Sequence, residues 1–398
     1  MKKNHFLHDI LSSKNYDVQI IYTKIERKNG KIKFKDYHHN VGGRYFYPST
    51  TVFLPAAVLA LEKINRIAAT GCDVDTKRNI RIDSDISNKT ILYIDSTYEN
   101  HYANYSEIIK RMLVLNDKNS FNYCYDLLNQ KFFNERFHEL GYANTWFLHK
   151  FNNEQPEKSR HSNSVTFFKT NVPSYFIDLV FQKRQNTTMP FLSVYINNAE
   201  NNPDDYYSIQ KNLPLGKGYI KNDSLVREPM DFKKMNKYSI EDMHNFLKSL
   251  IFPDSQTRKL NLKESDYNLI YRYLSMFPSE VRYPKHSREQ YPDGFKRYIL
   301  KDRIGDPSIK IFGNSGKDFG FLIDNAYVID KQNGIDFLLT VVIKCNRENI
   351  FGENYYEYEK IGEPFIREVS KIIYEYEISS RKNFTDFTDF LNGFKDVS

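Results

Sequence analysis

The sequence predicts a mixed α/β fold of the α+β kind, an antiparallel sheet flanked by helices plus a helical lobe. Three observations predict it. Period-two patterning with a tight-turn signal occurs near both ends of the chain, at residues 16–39 and 319–344. Helical periodicity dominates the stretch between them. An amphipathic helix follows the second hairpin. Hairpins from the two ends can pair into one antiparallel sheet, and the helical insertion then forms a second lobe with a cleft between the two.

In the first hairpin Val18, Ile20 and Tyr22 alternate with other residues, Asn29-Gly30 offers the positive-φ pair of a tight turn, and Ile32 and Phe34 continue the alternation. In segment 54–69, Leu54, Ala57, Val58, Leu61, Ile64 and Ile67 recur at helical spacing. Pro55 fits a first-turn position, where its missing N–H costs nothing. Further helices are expected at 106–115, 119–129, 131–140 (closed by Gly141), 239–252 and 263–277. The proline-containing stretches 203–214 and 278–292 read as long loops. Ile309–Phe312 reads as a short strand, and Phe319–Ile329 and Ile335–Lys344 as the second hairpin. Phe365, Ile366, Val369, Ile372, Ile373 and Tyr376 mark one face of the closing helix. The tail 381–398 holds the near-repeat FTDFTDF without a clear core face, and reads as frayed or as an appended helix.

Composition narrows the function classes. Of the 398 residues 40% are hydrophobic, with 30 Tyr and 30 Phe, so a sizeable aromatic core is expected rather than disorder. The net charge of +7 is spread along the chain without a single-sign block or a nucleic-acid-binding module, so no nucleic-acid partner is expected. Three cysteines, Cys72, Cys124 and Cys345, contain no CxxC pair and no disulfide framework. No run of 18 apolar residues occurs, so no membrane span is expected. The start, MKKNHFLHDILSSKN, lacks the apolar stretch of a signal peptide. GNSGK at 313–317 lacks the spacing of a phosphate-binding loop, HELGY at 138–142 lacks the second histidine of a zinc protease, and His38-His39 reads as a solvated strand end. No cofactor or metal is expected.

The stretch with chemical content is YPSTTVFLPAAVLALEK at 47–63. Its hydroxyl cluster Ser49-Thr50-Thr51 at a helix start is either a set of N-caps or packing residues, or the place where a nucleophile is held. YPSTTVFLPAAVLALEKIN, in this order of elements, resembles the class A β-lactamase-like serine hydrolases of the penicillin-recognising superfamily. MLVLNDKNSFNYCYDLLNQKFFNERFHELGY resembles the family's second-motif helices, and KIFGNSGKDFGFLIDNAYVID its third-motif strand. YYEYEKIGEPFIREV resembles its C-terminal helix. PLGKGYIKNDSLVREPMDF and SMFPSEVRYP are similar to a bacterial subgroup. The resemblance covers roughly 16–380. It implies one domain over 1–380, with 16–50 and 305–380 as the sheet lobe, about 51–300 as the helical lobe and insertions, and 381–398 as a tail.

Such enzymes carry S-x-x-K, S-x-N and K-[TS]-G around one cleft. The resemblance places Thr50 at the nucleophile position and Phe53 at the lysine position. Asn116-Asp117-Lys118 stands at the second motif and Asn314-Ser315-Gly316 at the third. Both motif lysines and the second-motif serine are missing, and no E-x-x-L-N occurs between Asn134 and Lys211. Shifting the frame pairs Ser49 with Val52 or Thr51 with Leu54, so neither shift recovers a base. The leading expectation is a catalytically inactive relative, a pseudoenzyme, that acts as a binding or interaction protein with its cleft lined by Ser49, Phe53 and the motif positions. The rival is a weak or altered hydrolase of β-lactam or cell-wall peptide substrates, using Thr50 or Ser49 with Lys118 as a relocated base. The resemblance implies a cell-wall peptide or a protein as partner, and a periplasmic or secreted location.

Overall fold

The computed structural model describes residues 4–393, apart from 29–30, 43, 85–86, 88, 152–157, 170–191, 197, 199–210, 256, 296, 354 and 382. The Asn29-Gly30 turn and most of the 203–214 loop therefore lie outside the described residues.

One five-stranded antiparallel sheet joins the two ends of the chain. β1 (Gln19–Lys28) and β2 (Lys31–His39) form the first hairpin, and β11 (Ile309–Asp318), β12 (Phe321–Asp330) and β13 (Ile335–Lys344) the last three strands. Their order is β11-β12-β13-β1-β2, so β13 meets β1 and closes the sheet across the whole sequence. Both β12 and β13 are buried along their full length, because helices cover both faces. On one face lies α6 (Ile240–Ile251) and on the other α8 (Glu363–Ser380), beside α1 (His5–Ser12). The pleat divides the side chains accordingly. Ile323, Tyr327, Leu338 and Val342 join the core under α6. Leu322, Val328, Phe337 and Leu339 join the core under α8. Edge strand β2 is solvated and carries Lys31, Lys33 and Lys35, a charge pattern that discourages edge-to-edge pairing.

The helical lobe is built around α2 (Phe53–Ala68). Every residue from Phe53 to Glu62 is buried, as expected of a helix surrounded by others rather than lying on a surface. Its alanines let α3 (Tyr105–Val114), α4 (Lys118–Leu128) and α7 (Glu264–Ser275) pack close. A carboxylate inside it, Glu62, is held by Arg136 of α5 (Gln130–Glu139) at 2.7 Å and by Arg66 at 3.1 Å. A buried acid needs such partners to remain charged.

Beside this lobe β3 (Ile80–Asp83), β4 (Thr90–Leu92), β5 (Ser164–Phe168) and β6 (Leu192–Ile196) form a four-stranded sheet that the sequence pattern did not reveal. Four further short strands lie between it and α6, and a fifth follows β13. The four are β7 (Pro214–Leu215), β8 (Gly218–Lys221), β9 (Ser224–Val226) and β10 (Met230–Asp231). β14 (Ile350–Phe351) pairs with β8. No described helix is long and apolar enough to cross a membrane.

Three sequence expectations are corrected. The strand expected to end at Phe312 runs on to Asp318, because each residue of 313–318 pairs with β12 despite its low strand propensity. Phe319 and Gly320, expected in the next strand, are the hairpin turn, at φ +48° and +77°. The buried face of α8 includes Tyr374 and Glu377 whereas Tyr376 is 45% exposed. Glu377 tolerates burial because the Tyr22 hydroxyl donates to it and Arg381 lies 3.2 Å away. The tail also carries α9 (Thr388–Asn392), whose Phe390 packs on Tyr271 and Phe312.

Candidate active site

The hydroxyl cluster occupies a short 3-10 turn, Ser49–Val52, that feeds directly into α2. All four residues of the turn are buried. None of the three hydroxyls caps the helix: the N-cap of α2 is Val52, without a side-chain bond. The Thr50 hydroxyl instead donates to the carbonyl of Ser315 on β11 at 2.8 Å. The Thr51 hydroxyl donates back to the Pro48 carbonyl at 2.7 Å. Ser49 is held at φ +49°, a region that a residue with a Cβ rarely adopts, and its buried Oγ has no hydrogen-bond partner among the described residues. Backbone strain of this kind concentrates at functional sites and at positions that the surroundings over-determine.

β11 is an edge strand, and the edge not paired with β12 lies against this turn. Asn314 Nδ2 donates to the Thr51 carbonyl at 2.6 Å. A Cβ at Gly316 would meet the Pro48 carbonyl oxygen at 2.7 Å and Ser49 Cβ at 3.1 Å. Residues 314–316 therefore clamp the turn through one side-chain bond, one backbone acceptor and one glycine contact. The structure brings the first and third motif positions together.

Phe53, one helical turn beyond Thr50, is 1% exposed. It stacks on Phe121 of α4 with ring centroids 5.3 Å apart and meets Phe151 edge-on at 5.6 Å. Phe121 and Phe151 touch each other at 5.1 Å, so three rings close the space beside the turn. Each ring in such a cluster contributes both apolar burial and favourable edge–face electrostatics.

The second motif position bridges α3 and α4. Asn116 has φ +55°, a left-handed conformation that asparagine tolerates. Asp117 is the N-cap of α4 and accepts from the backbone N–H groups of Asn119 and Ser120, each at 3.1 Å. Lys118 turns toward the end of β11, with its Nζ 3.6 Å from Asp318 Oδ2 and 5.4 Å from the Phe151 ring centre. Its partner is thus Asp318, not the neighbouring Asp117. Lys317 projects to Glu359 at 2.8 Å and Glu363 at 3.6 Å, as strand alternation requires of a residue three along from Asn314.

Sequence reasoning missed the wall formed by Tyr47 and His149. Their rings stack 6.1 Å apart, Tyr47 meets Phe319 edge-on at 5.0 Å, and His149 meets Phe151 at 6.0 Å. His149 Nδ1 bonds to the Lys150 carbonyl at 2.8 Å, which assigns the proton to Nδ1 and leaves a lone pair on Nε2. Burial lowers its pKa to about 4, against a smaller opposing effect of the Lys150 carbonyl, so the ring is neutral near pH 7. Lys150 fixes this segment through a 2.7 Å ion pair with buried Asp126, whose pKa burial raises and Lys150 pulls down. Nothing in the local sequence around FLHK signals these long-range contacts. Among the described residues no group of three or more His, Cys, Asp or Glu side chains is arranged to hold a metal.

The chain matches no protein-family model and no curated protein sequence. Solved structures do resemble it. A β-lactamase from Sphaerobacter thermophilus DSM 20745 aligns over 95% of this chain and 97% of its own, with a TM-score of 0.50 and 10% identity. A β-lactamase from Burkholderia ambifaria aligns over 95% and 99%, with a TM-score of 0.48 and 10% identity. PBP-A aligns over 93% and 94%, with a TM-score of 0.47 and 11% identity. At such identities the likeness, carried by the first of these, concerns the fold alone. The five-stranded sheet with its helical lobe has a β-lactamase-like fold.

Proposed function

We propose that the chain is a catalytically inactive member of the β-lactamase-like group, a scaffold that binds or interacts rather than hydrolyses. One observation carries this reading. The position one turn beyond Thr50, from which a lysine would take the nucleophile's proton, holds Phe53 inside a closed cluster with Phe121 and Phe151. Three further features support it. The Thr50 proton is committed to the Ser315 carbonyl. Asn314 is committed to the Thr51 carbonyl, and Lys118 faces Asp318. Loss of a positioned general base alone costs about 10²–10⁴ in rate, and members of a catalytic set fail together rather than additively. In the family context the binding partner is a cell-wall peptide or a protein.

A second reading, a weak hydrolase, draws on Ser49, whose strained backbone and unpartnered buried Oγ mark it as the hydroxyl least committed to packing. Hydrolysis of a chromogenic β-lactam separates the two. The first reading expects no turnover above background. Turnover that disappears in Ser49→Ala or Thr50→Ala would establish the second.

A further inference from the structure

A cavity of about 570 Å³ lies away from the Thr50 turn, and none of the motif-position residues lines it. Its volume falls in the range that encloses a small organic ligand. It lies between the segment after β2, the segment after α5 and the start of α6. The aromatic lining includes Tyr45, Trp146 and Phe232. Arg44, Lys211, Lys233 and Lys237 also line it, against one carboxylate, Glu241.

The walls are fixed. Trp146 and Lys237 face each other in an antiparallel bridge with reciprocal N–H···O bonds of 2.7 and 2.8 Å. Residues opposed in this way project their side chains to the same side, so an indole and an ammonium stand next to each other. The Tyr45 hydroxyl donates to the Asn236 carbonyl at 2.9 Å, and the buried Asn236 side chain holds the 148–149 backbone through bonds of 2.6 and 3.1 Å. The charges differ in availability. Arg44 is paired with Asp17, and Lys233 lies 3.6 Å from Asp231. Lys237 and Lys211 have no carboxylate within ion-pair distance among the described residues. Preformed aromatic walls beside uncommitted ammonium groups suit a ligand with a flat apolar body and a negative charge.

We propose that this cavity binds a small organic anion with an aromatic or flat apolar body, its charge on Lys237 and its body against Trp146 and Tyr45. The site is separate from the Thr50 turn and does not depend on whether that turn is catalytic.

Trp146 is the single tryptophan of the chain and lines this cavity, so its emission responds to a ligand bound there. Phenylbutyrate is titrated into the full-length protein, with phenylbutanol as the uncharged control. A charge-assisted contact to Lys237 makes the acid bind roughly tenfold more tightly than the alcohol. Lys237→Gln, whose backbone bridge to Trp146 is unchanged, is expected to erase that difference while melting at the parent's temperature. Absence of a saturable emission change with phenylbutyrate, equal affinities for acid and alcohol, or an acid preference that survives in Lys237→Gln would each overturn the proposal.

Discussion

Thr50 Oγ1 donates its proton to the Ser315 carbonyl at 2.8 Å, joining the turn before α2 to the edge of β11 across 265 positions of sequence. The bond is fully buried, and it makes Thr50 a structural clasp between sheet and helical lobe. Thr50→Val keeps the shape and removes the donor, leaving the Ser315 carbonyl without it. The expected loss is about 0.5–1.5 kcal/mol, measured by urea denaturation, the net contribution of one hydrogen bond. A variant as stable as the parent would show that the bond contributes nothing.

Gly316 makes the same junction possible by lacking a side chain. Gly316→Ala places a Cβ 2.7 Å from the Pro48 carbonyl oxygen, and both groups are backbone or fixed by backbone. Roughly 1–3 kcal/mol of destabilisation is expected, seen as a lowered melting temperature. An unchanged melting temperature would mean that β11 and the turn can separate freely.

Phe53 anchors the other side of the turn. Phe53→Ala removes a ring from a cluster with no solvent access and is expected to cost about 3–5 kcal/mol in denaturation experiments. Thr50→Ser with Phe53→Lys restores the first motif's residue types but places an ammonium against Phe121 and Phe151. A buried cation without a partner destabilises the fold or loses its proton. The double variant is expected to melt below the parent and to acylate slowly at most. Repeated turnover at parental stability would mean that the remaining cleft was already competent.

The core beneath α6 is acid-sensitive through His244. This ring is buried between the Thr23 and Thr340 hydroxyls, each 2.7 Å from a ring nitrogen. Burial lowers its pKa from 6.5 to about 3, with Lys248 adding to the effect and Asp36 opposing it. Unfolded chains take up a proton at His244 below about pH 6.5, while the folded protein refuses it until about pH 3. Its stabilising contribution is therefore complete above pH 6.5 and falls as the pH drops toward 3. Asp324, raised by burial to about 6, acts in the opposite sense over its own range. The difference between parent and His244→Gln isolates the histidine. It is expected to shrink by about 2 kcal/mol between pH 7 and pH 5. A difference independent of pH would refute a neutral buried His244.

Much of the sheet was legible because its hairpins advertise themselves. Alternation in 16–39 and the turn residues of 330–334 fix the strands locally, and the pairing of β13 with β1 follows from their position at the ends of the chain. The end of β11 was not legible, since Gly313-Asn-Ser-Gly-Lys-Asp318 has no strand propensity and is extended only by its partner β12. The four-stranded sheet around β3 and β5 was missed for the same reason: its strands are short and defined by distant pairing. At the site, the burial of Phe53 follows from its place on the apolar start of α2. The Tyr47–His149 wall depends on the ion pair of Lys150 with Asp126, 24 positions away, which no local pattern encodes.

On the proposed reading, no hydroxyl in the Ser49-Thr50-Thr51 turn is activated as a nucleophile. Intact-mass measurement after incubation with a fluorophosphonate probe tests this most directly, because covalent labelling requires an activated oxygen but no completed turnover. A spectrum with only the unmodified mass is expected. A stoichiometric adduct that maps to Ser49 or Thr50, and is lost when that residue becomes alanine, would contradict it.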